Sequence, residues 1–241
     1  MANLIIDIGN TAVKASRSEG MTLGKTFRYQ GEKVKDFILS LAKKEKPEVL
    51  VISSVYEISR SDAKLFEKEC DTLLLLDGAH TDILKENGLP SYLTYDRAAS
   101  IIAAKYLFKG KGCTVIDFGT TLTVDITSPE GTYSGGNVSL GLRTRFKALN
   151  RYSRALPLIS APEKNDIIGE SFETSLSSGV ISGIMFEIEG YIGLNPEYMV
   201  IFTGGDAIYF AKRMKNSIFV IYNLVLIGLA LIADEYVKNK L

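Results

Sequence analysis

Cysteine and histidine are scarce in this 241-residue chain, and neither sign of charge is in excess. The two cysteines, Cys70 and Cys113, stand far apart without a second thiol at metal-ligand spacing. A disulfide scaffold and a zinc cluster are therefore not expected, and a reducing, cytoplasmic setting fits. His80 is the single histidine, in "LLLLDGAHTDIL" just after an expected strand, so multi-histidine metal sites are excluded and a surface-loop histidine is expected. Lys plus Arg equals Asp plus Glu at 28 each, which leaves no global field to favour nucleic acid or an anionic membrane. A small molecule or a protein is the expected partner. The apolar run Ile218 to Ala233, "IFVIYNLVLIGLALIA", is shorter than the ~18 to 20 residues of a membrane span and contains Asn223 and Gly228. It reads as a buried C-terminal helix packed on a sheet, fraying in the charged "DEYVKNKL". The first apolar stretch stops at Asp7 with no basic segment before it, so a secretory signal peptide is not expected.

With 46% hydrophobic and 23% charged residues and no low-complexity segment, the chain is expected to fold throughout, as one large domain or two small ones. An internal echo favours two. "LIIDIGNTAVK" at Leu4 to Lys14 is repeated as "TVIDFGTTLTVD" at Thr114 to Asp125, each an apolar β-branched run followed by Asp-x-Gly-x-Thr. The aspartates Asp7 and Asp117 are about half a chain apart, which gives lobes at residues 1–112 and 113–241. Strand patterns after both turns predict that each lobe opens as an antiparallel meander. Helices are predicted at Lys33 to Glu45, Asp96 to Phe108 and in "ETSLSSGVISGIMFEIEGYIGL", with strands at "EVLVISSV" and "EYMVIFTGG". The alternation is that of an α/β architecture used twice.

A strand ending in Asp-x-Gly-x-Thr offers a carboxylate, a backbone without a blocking Cβ, and a hydroxyl beside free amides. A carboxylate would repel a phosphate unless a cation stood between them, so Asp7 suggests Mg²⁺ bridging to phosphate oxygens. A single copy could equally be an Asx turn; a second copy in a matching place favours the ligand reading. "TGGDA" at Thr203 to Ala207 admits either a nucleotide lying on bare backbone or a tight strand-to-helix turn. "SGGN" at Ser134 to Asn137 is a weaker glycine turn of the same kind.

In this order the elements resemble the acetate and sugar kinase, heat-shock chaperone and actin superfamily. That resemblance implies an α/β fold of two duplicated ribonuclease-H-like lobes (the actin-like ATPase fold) with a cleft between them that closes over ATP. The ordered set "DIGNTAVK", "VISSV", Asp96 and Arg97, "DFGTTLTVD", "YSGGNVSLGL", Leu156 and Pro157, "TGG" and "NLVLIGL" resembles type III pantothenate kinase over essentially the whole chain. What the resemblance implies is ATP-dependent phosphorylation of pantothenate to 4′-phosphopantothenate, the first step of coenzyme A biosynthesis. A homodimer using Mg²⁺ and a monovalent cation, K⁺ or NH₄⁺, is implied with it. Asp7, Ile8, Gly9, Asn10, Thr11, Ala12, Val13 and Lys14 match the first phosphate-binding segment, with Asp7 near the magnesium nucleotide. Asp96 matches the proton acceptor, and Thr94, Tyr95 and Arg97 stand beside it in the pantothenate pocket. Asp117 matches the ligand of the monovalent cation, Thr120 a nucleotide contact, and Gly204 and Gly205 the adenosine side.

The chain departs from the family pattern on the acceptor side. Thr94 replaces a glycine, Asn87 a substrate-contacting tyrosine, and Phe172 a threonine that reaches substrate across the dimer; Leu140 stands where a proline is usual. The phosphate-side motifs are intact, so ATP binding is better supported than pantothenate binding. A kinase of another small alcohol on the same fold and a nucleotide-binding regulator are the alternatives.

Overall fold

A computed structural model describes residues 2–77 and 82–240, so His80 and its expected surface loop lie outside the described residues. The chain divides into two compact units, Met1–Leu107 with Asn223–Leu241, and Phe108–Tyr222.

The first unit opens with β1 (Asn3–Ile8), β2 (Val13–Glu19), β3 (Thr22–Leu23) and β4 (Phe27–Tyr29). It continues through α1 (Val34–Lys44), β5 (Val49–Ser54), α2 (Arg60–Glu67), β6 (Thr72–Leu76), α3 (Asp82–Glu86) and α4 (Tyr95–Leu107). β1 and β5 are buried along their whole length, as central strands covered on both faces must be, and their sequences "NLIIDI" and "VLVISS" are accordingly almost free of polar alternation. The sheet order is β3-β2-β1-β5-β6, with β4 also pairing β2. β1 runs antiparallel to β2 and parallel to β5, which sets Asp7 opposite Lys14 on one side and Ser53 on the other. Leu4, Ile6 and Ile8 meet Ile38 and Ala42 of α1 and Phe66 of α2 in one core.

The second unit repeats the plan with β7 (Cys113–Phe118), β8 (Thr121–Thr127), β9 (Tyr133–Leu140), α5 (Leu142–Tyr152), α6 (Phe172–Leu194), β10 (Met199–Gly204), α7 (Ala207–Ala211) and β11 (Ile218–Val220). Its order is β11-β10-β7-β8-β9, so β7 takes the place of β1, antiparallel to β8 and parallel to β10. Asp117 lies opposite Thr123 and Thr203, the positions Lys14 and Ser53 hold around Asp7. Ile116, Phe118, Leu122 and Val124 pack on Val180, Ile181, Ile184 and Ile188 of α6. Phe118 stacks on Phe210 with ring centroids 5.0 Å apart. α6 begins with a capping box in which Ser171 Oγ accepts the Thr174 N–H and Thr174 Oγ1 accepts the Ser171 N–H at 2.8 Å.

Three expectations change here. The run at Ile218 to Ala233 is not one helix: Ile218–Val220 is an edge strand parallel to β10, and α8 (Leu224–Lys240) starts only after Asn223, whose carbonyl accepts the Ile227 N–H at 2.9 Å. A short apolar run carries no period that separates strand from helix. "SGGN" is not a turn either, for it lies inside β9 beside an irregularity opposite Ile126 and Thr127, where Gly135 takes φ +127°. The division also differs from a single boundary at 112/113, because α8 packs in the first unit. A Cβ on Gly228 would sit 1.9 Å from the Ala99 carbonyl oxygen of α4, an approach only glycine permits.

Candidate active site

In the first unit the β1–β2 connection is a four-residue turn, Gly9 to Ala12, closed by the Gly9 N–H donating to the Ala12 carbonyl at 3.1 Å. Asp7, two residues before it, is only 8% exposed, while Asn10 and Thr11 stand in solvent. β1 and β5 end together, and the Val55 N–H on the Ile8 carbonyl at 3.2 Å ties their carboxyl ends. At the end of neighbouring β6, Asp77 accepts the Ile58 N–H at 3.2 Å. The duplicated turn thus opens at the carboxyl edge of parallel strands, the edge at which ligands of open α/β sheets bind.

α4 carries Asp96 in its first turn, half-buried, with Oδ1 accepting the Arg97 N–H at 2.9 Å. A carboxylate is stabilised there by the helix dipole. Tyr95 is buried beside it, and Thr94, exposed, starts the helix by offering its carbonyl to the Ala98 N–H. Asn87 does other work: its side-chain amide donates to the Ile83 carbonyl at 2.9 Å and finishes α3.

In the second unit the turn is tighter, with the Gly119 N–H donating to the Thr121 carbonyl at 3.0 Å. The carboxylate of Asp117 lies against bare backbone. A Cβ on Gly204, which has φ +90°, would come within 2.3 Å of Asp117 Oδ1, and one on Gly119 would lie 3.8 Å from it. Gly205 is exposed next to this contact, and the Asp206 N–H reaches the Phe118 carbonyl at 3.3 Å. Burial holds the Asp206 carboxyl above its usual range, and Arg143 opposes that shift. The Thr120 carbonyl is gripped twice, by the Gly141 N–H at 3.0 Å and by Thr144 Oγ1 at 2.6 Å. Phe172, 56% exposed, lies in the first turn of α6.

The structure therefore gathers Asp7 to Lys14 into one strand–turn–strand hairpin and Thr94 to Arg97 into one helix start, with Asn87 elsewhere in the same unit. Asp117, Thr120, Gly204 and Gly205 form a single cluster in the second unit. Sequence reasoning gave no role to Arg143 and Thr144, nor to Gly141 and Asp206 within the quoted "YSGGNVSLGL" and "TGGDA". What brings the start of α5 to the turn is the register that sets Thr121 opposite Leu140, which is visible only in the structure.

Two sheets of one plan, each presenting an Asp-x-Gly-x-Thr turn, define the two-lobed actin-like ATPase fold. The ADPNP-bound activator of the 2-hydroxyisocaproyl-CoA dehydratase of Clostridium difficile has this fold with a TM-score of 0.61 at 14% identity, covering 100% of this chain and 97% of that one. ADP-bound MreB5 of Spiroplasma citri gives 0.52 at 13%, covering 99% and 98%. A family model described as type III pantothenate kinase matches residues 3–193. The type III pantothenate kinase of Flavobacterium psychrophilum is 34% identical over 230 residues, 92% of this chain and 95% of its own. The chain belongs to the type III pantothenate kinase family.

Proposed function

We propose that the protein phosphorylates pantothenate at its 4′-hydroxyl with ATP, the reaction that opens coenzyme A biosynthesis, in the cytoplasm. The observation that carries this reading is the family match over nearly the whole chain. The site has the character the reaction needs, since phosphoryl transfer asks mainly for positioning and charge neutralisation.

Glycine backbone at Gly9 and Gly119, free of Cβ atoms, fits a polyphosphate lying close to the main chain. Among the described residues no three His, Cys, Asp or Glu converge as a cage. That fits magnesium held largely by nucleotide oxygens and water, with Asp7 as its protein-side charge. When bound, magnesium ATP supplies the transferable phosphoryl group. In the first unit the Asp7 to Lys14 segment would contact phosphate oxygens; in the second, Thr120 would contact the nucleotide, with Gly204 and Gly205 on the adenosine side. Asp117 would be the ligand for a monovalent cation, K⁺ or NH₄⁺, on the nucleotide side. Asp96 would take the proton of the acceptor hydroxyl as the new O–P bond forms and the bond from the γ-phosphorus to its bridging oxygen breaks, releasing ADP; its Oδ1 is already oriented by the Arg97 amide. Tyr95, Arg97 and Thr94 line the acceptor side, with Asn87 and Phe172 as its altered members.

A homodimer is part of this reading. An apolar groove of about 630 Å³ runs between α5 and α6, lined by Leu140, Leu149, Tyr152, Leu176 and Val180, and Tyr152 is 86% exposed. Exposed apolar surface of this kind supports association with a second copy.

Purified protein given ATP, Mg²⁺ and pantothenate should form 4′-phosphopantothenate, faster with K⁺ than without it. Nucleotide binding with no turnover would sink the acceptor assignment. Asp96→Asn should lower kcat by about 10²- to 10⁴-fold with nucleotide affinity retained; a fully active variant would remove Asp96 from the base role.

A further inference from the structure

One polar network in the second unit touches none of the candidate ligand-contacting residues directly. Arg145 of α5 donates through Nε to the Leu140 carbonyl at 2.8 Å and through Nη2 to Ser139 Oγ at 3.2 Å, and Nη2 also bonds Glu187 Oε2 of α6. Ser139 Oγ closes the ring by donating to Glu187 Oε1 at 2.6 Å. The Arg145 and Glu187 side chains are each only 22% exposed, so the pair is sheltered from solvent screening. The guanidinium lies beside Gly183 of α6, where an added Cβ would make an ordinary van der Waals contact with Nη1 at 3.8 Å.

The residue after Leu140 is Gly141, whose N–H and neighbourhood shape the Thr120 turn. A Cβ at Gly141 would stand 2.1 Å from the Gly119 carbonyl oxygen, so backbone lies directly on backbone there. Arg145 grips this junction from both directions, because its own N–H bonds the Gly141 carbonyl at 2.9 Å while its side chain holds Leu140. Small movements of β9 against α5 have no slack in which to be absorbed before they reach Thr120.

We propose that the Arg145–Glu187–Ser139 network positions the Gly119–Thr121 turn for nucleotide, so that Arg145 and Glu187 are positioning residues for ATP and not for the acceptor. This rests on the reading of Thr120 as a nucleotide contact. The requirement is for an arginine fork: two donors in fixed geometry meet a carbonyl, a hydroxyl and a carboxylate, and the point charge of a lysine cannot.

The test is direct nucleotide affinity, measured with a non-hydrolysable ATP analogue and Mg²⁺, alongside KM for pantothenate, thermal midpoint and association state. Arg145→Lys and Glu187→Gln are each expected to weaken nucleotide binding about tenfold, the range of coupling carried through packed networks, with the acceptor KM within about twofold of wild type. The double variant should be no weaker than the weaker single, because both break one unit. Ser139→Ala, a milder change that keeps the ion pair, should shift affinity the same way by about two- to threefold. Unchanged nucleotide affinity in folded Arg145→Lys protein overturns the proposal. So does an equal rise in acceptor KM, and so does a loss seen only when the protein dissociates into monomers. Wild-type protein that binds nucleotide yet ignores pantothenate would count against the acceptor assignment alone, because the affinity measurements stand without it.

Discussion

At Gly204 one methyl group would collide with both the side chain of Asp117 and the main chain of Phe118. The nearest atoms to an added Cβ are Asp117 Oδ1 at 2.3 Å and the Phe118 N and O at 2.6 Å, and φ is +90°. Gly204→Ala is expected to destabilise the protein by about 2–3 kcal/mol, read by urea unfolding, and to abolish the thermal shift given by ATP. The thiols make a second residue-scale prediction. Burial pushes Cys70 and Cys113 up from 9.0 to about 11. Below pH 9 both states keep these protons. Between pH 9 and about 11 the unfolded chain releases protons that the folded chain retains, so stability falls as pH rises through that window and their contribution is spent above it. The thermal midpoint of a Cys70→Ala variant should fall less steeply than that of wild type from pH 9 to 11, and neither thiol should react with a thiol reagent at pH 8 before unfolding. At this scale the sequence was most readable where chemistry and geometry coincide. Asp7 and Asp117 declared themselves by recurring in one pattern, whereas Thr144 and Arg145 are ordinary helix residues until the register of β9 brings Thr144 to the turn and Arg145 to Leu140.

Among elements, glycines in the helices separate packing from mere flexibility. Gly228 is where α8 meets α4, and Gly228→Ala would drive a Cβ to 1.9 Å from the Ala99 carbonyl oxygen. A loss of about 1–3 kcal/mol is expected, with a fall in kcat because Ala99 lies one turn beyond Asp96. Gly193 of α6 has nothing within 4 Å of its would-be Cβ. Gly193→Ala should therefore stabilise the protein by about 0.4–1 kcal/mol through a less disordered unfolded chain, and thermal unfolding of the two variants decides the contrast. Strands β1, β5, β7 and β10 were legible as apolar runs bounded by turn residues. β11 was hidden because its three residues continue without a break into the apolar sequence of α8, and Asn223 was the one clue to the boundary.

For the molecule as a whole, the repeated Asp-x-Gly-x-Thr turn announced a duplication, and the two strand orders match in the same sense. Nothing in the uniformly apolar first half of α8 says which sheet it will cover, which is why its home was not readable. The division predicts unequal autonomy. A fragment of residues 108–222 has a continuous chain and its own core, so it should unfold cooperatively by itself. Residues 1–107 should do so only when residues 223–241 are joined to them, and calorimetry of the fragments would measure this.

The return of α8 to the first unit also has a consequence in time. Residues 108–222 are synthesised between the two segments of the first unit, so its sheet waits with the α8 face uncovered while another unit is made. A premature stop anywhere between the end of β2 and Asn223 would accordingly silence the Asp7 turn at the other end of the chain, even though every residue of that turn had been made.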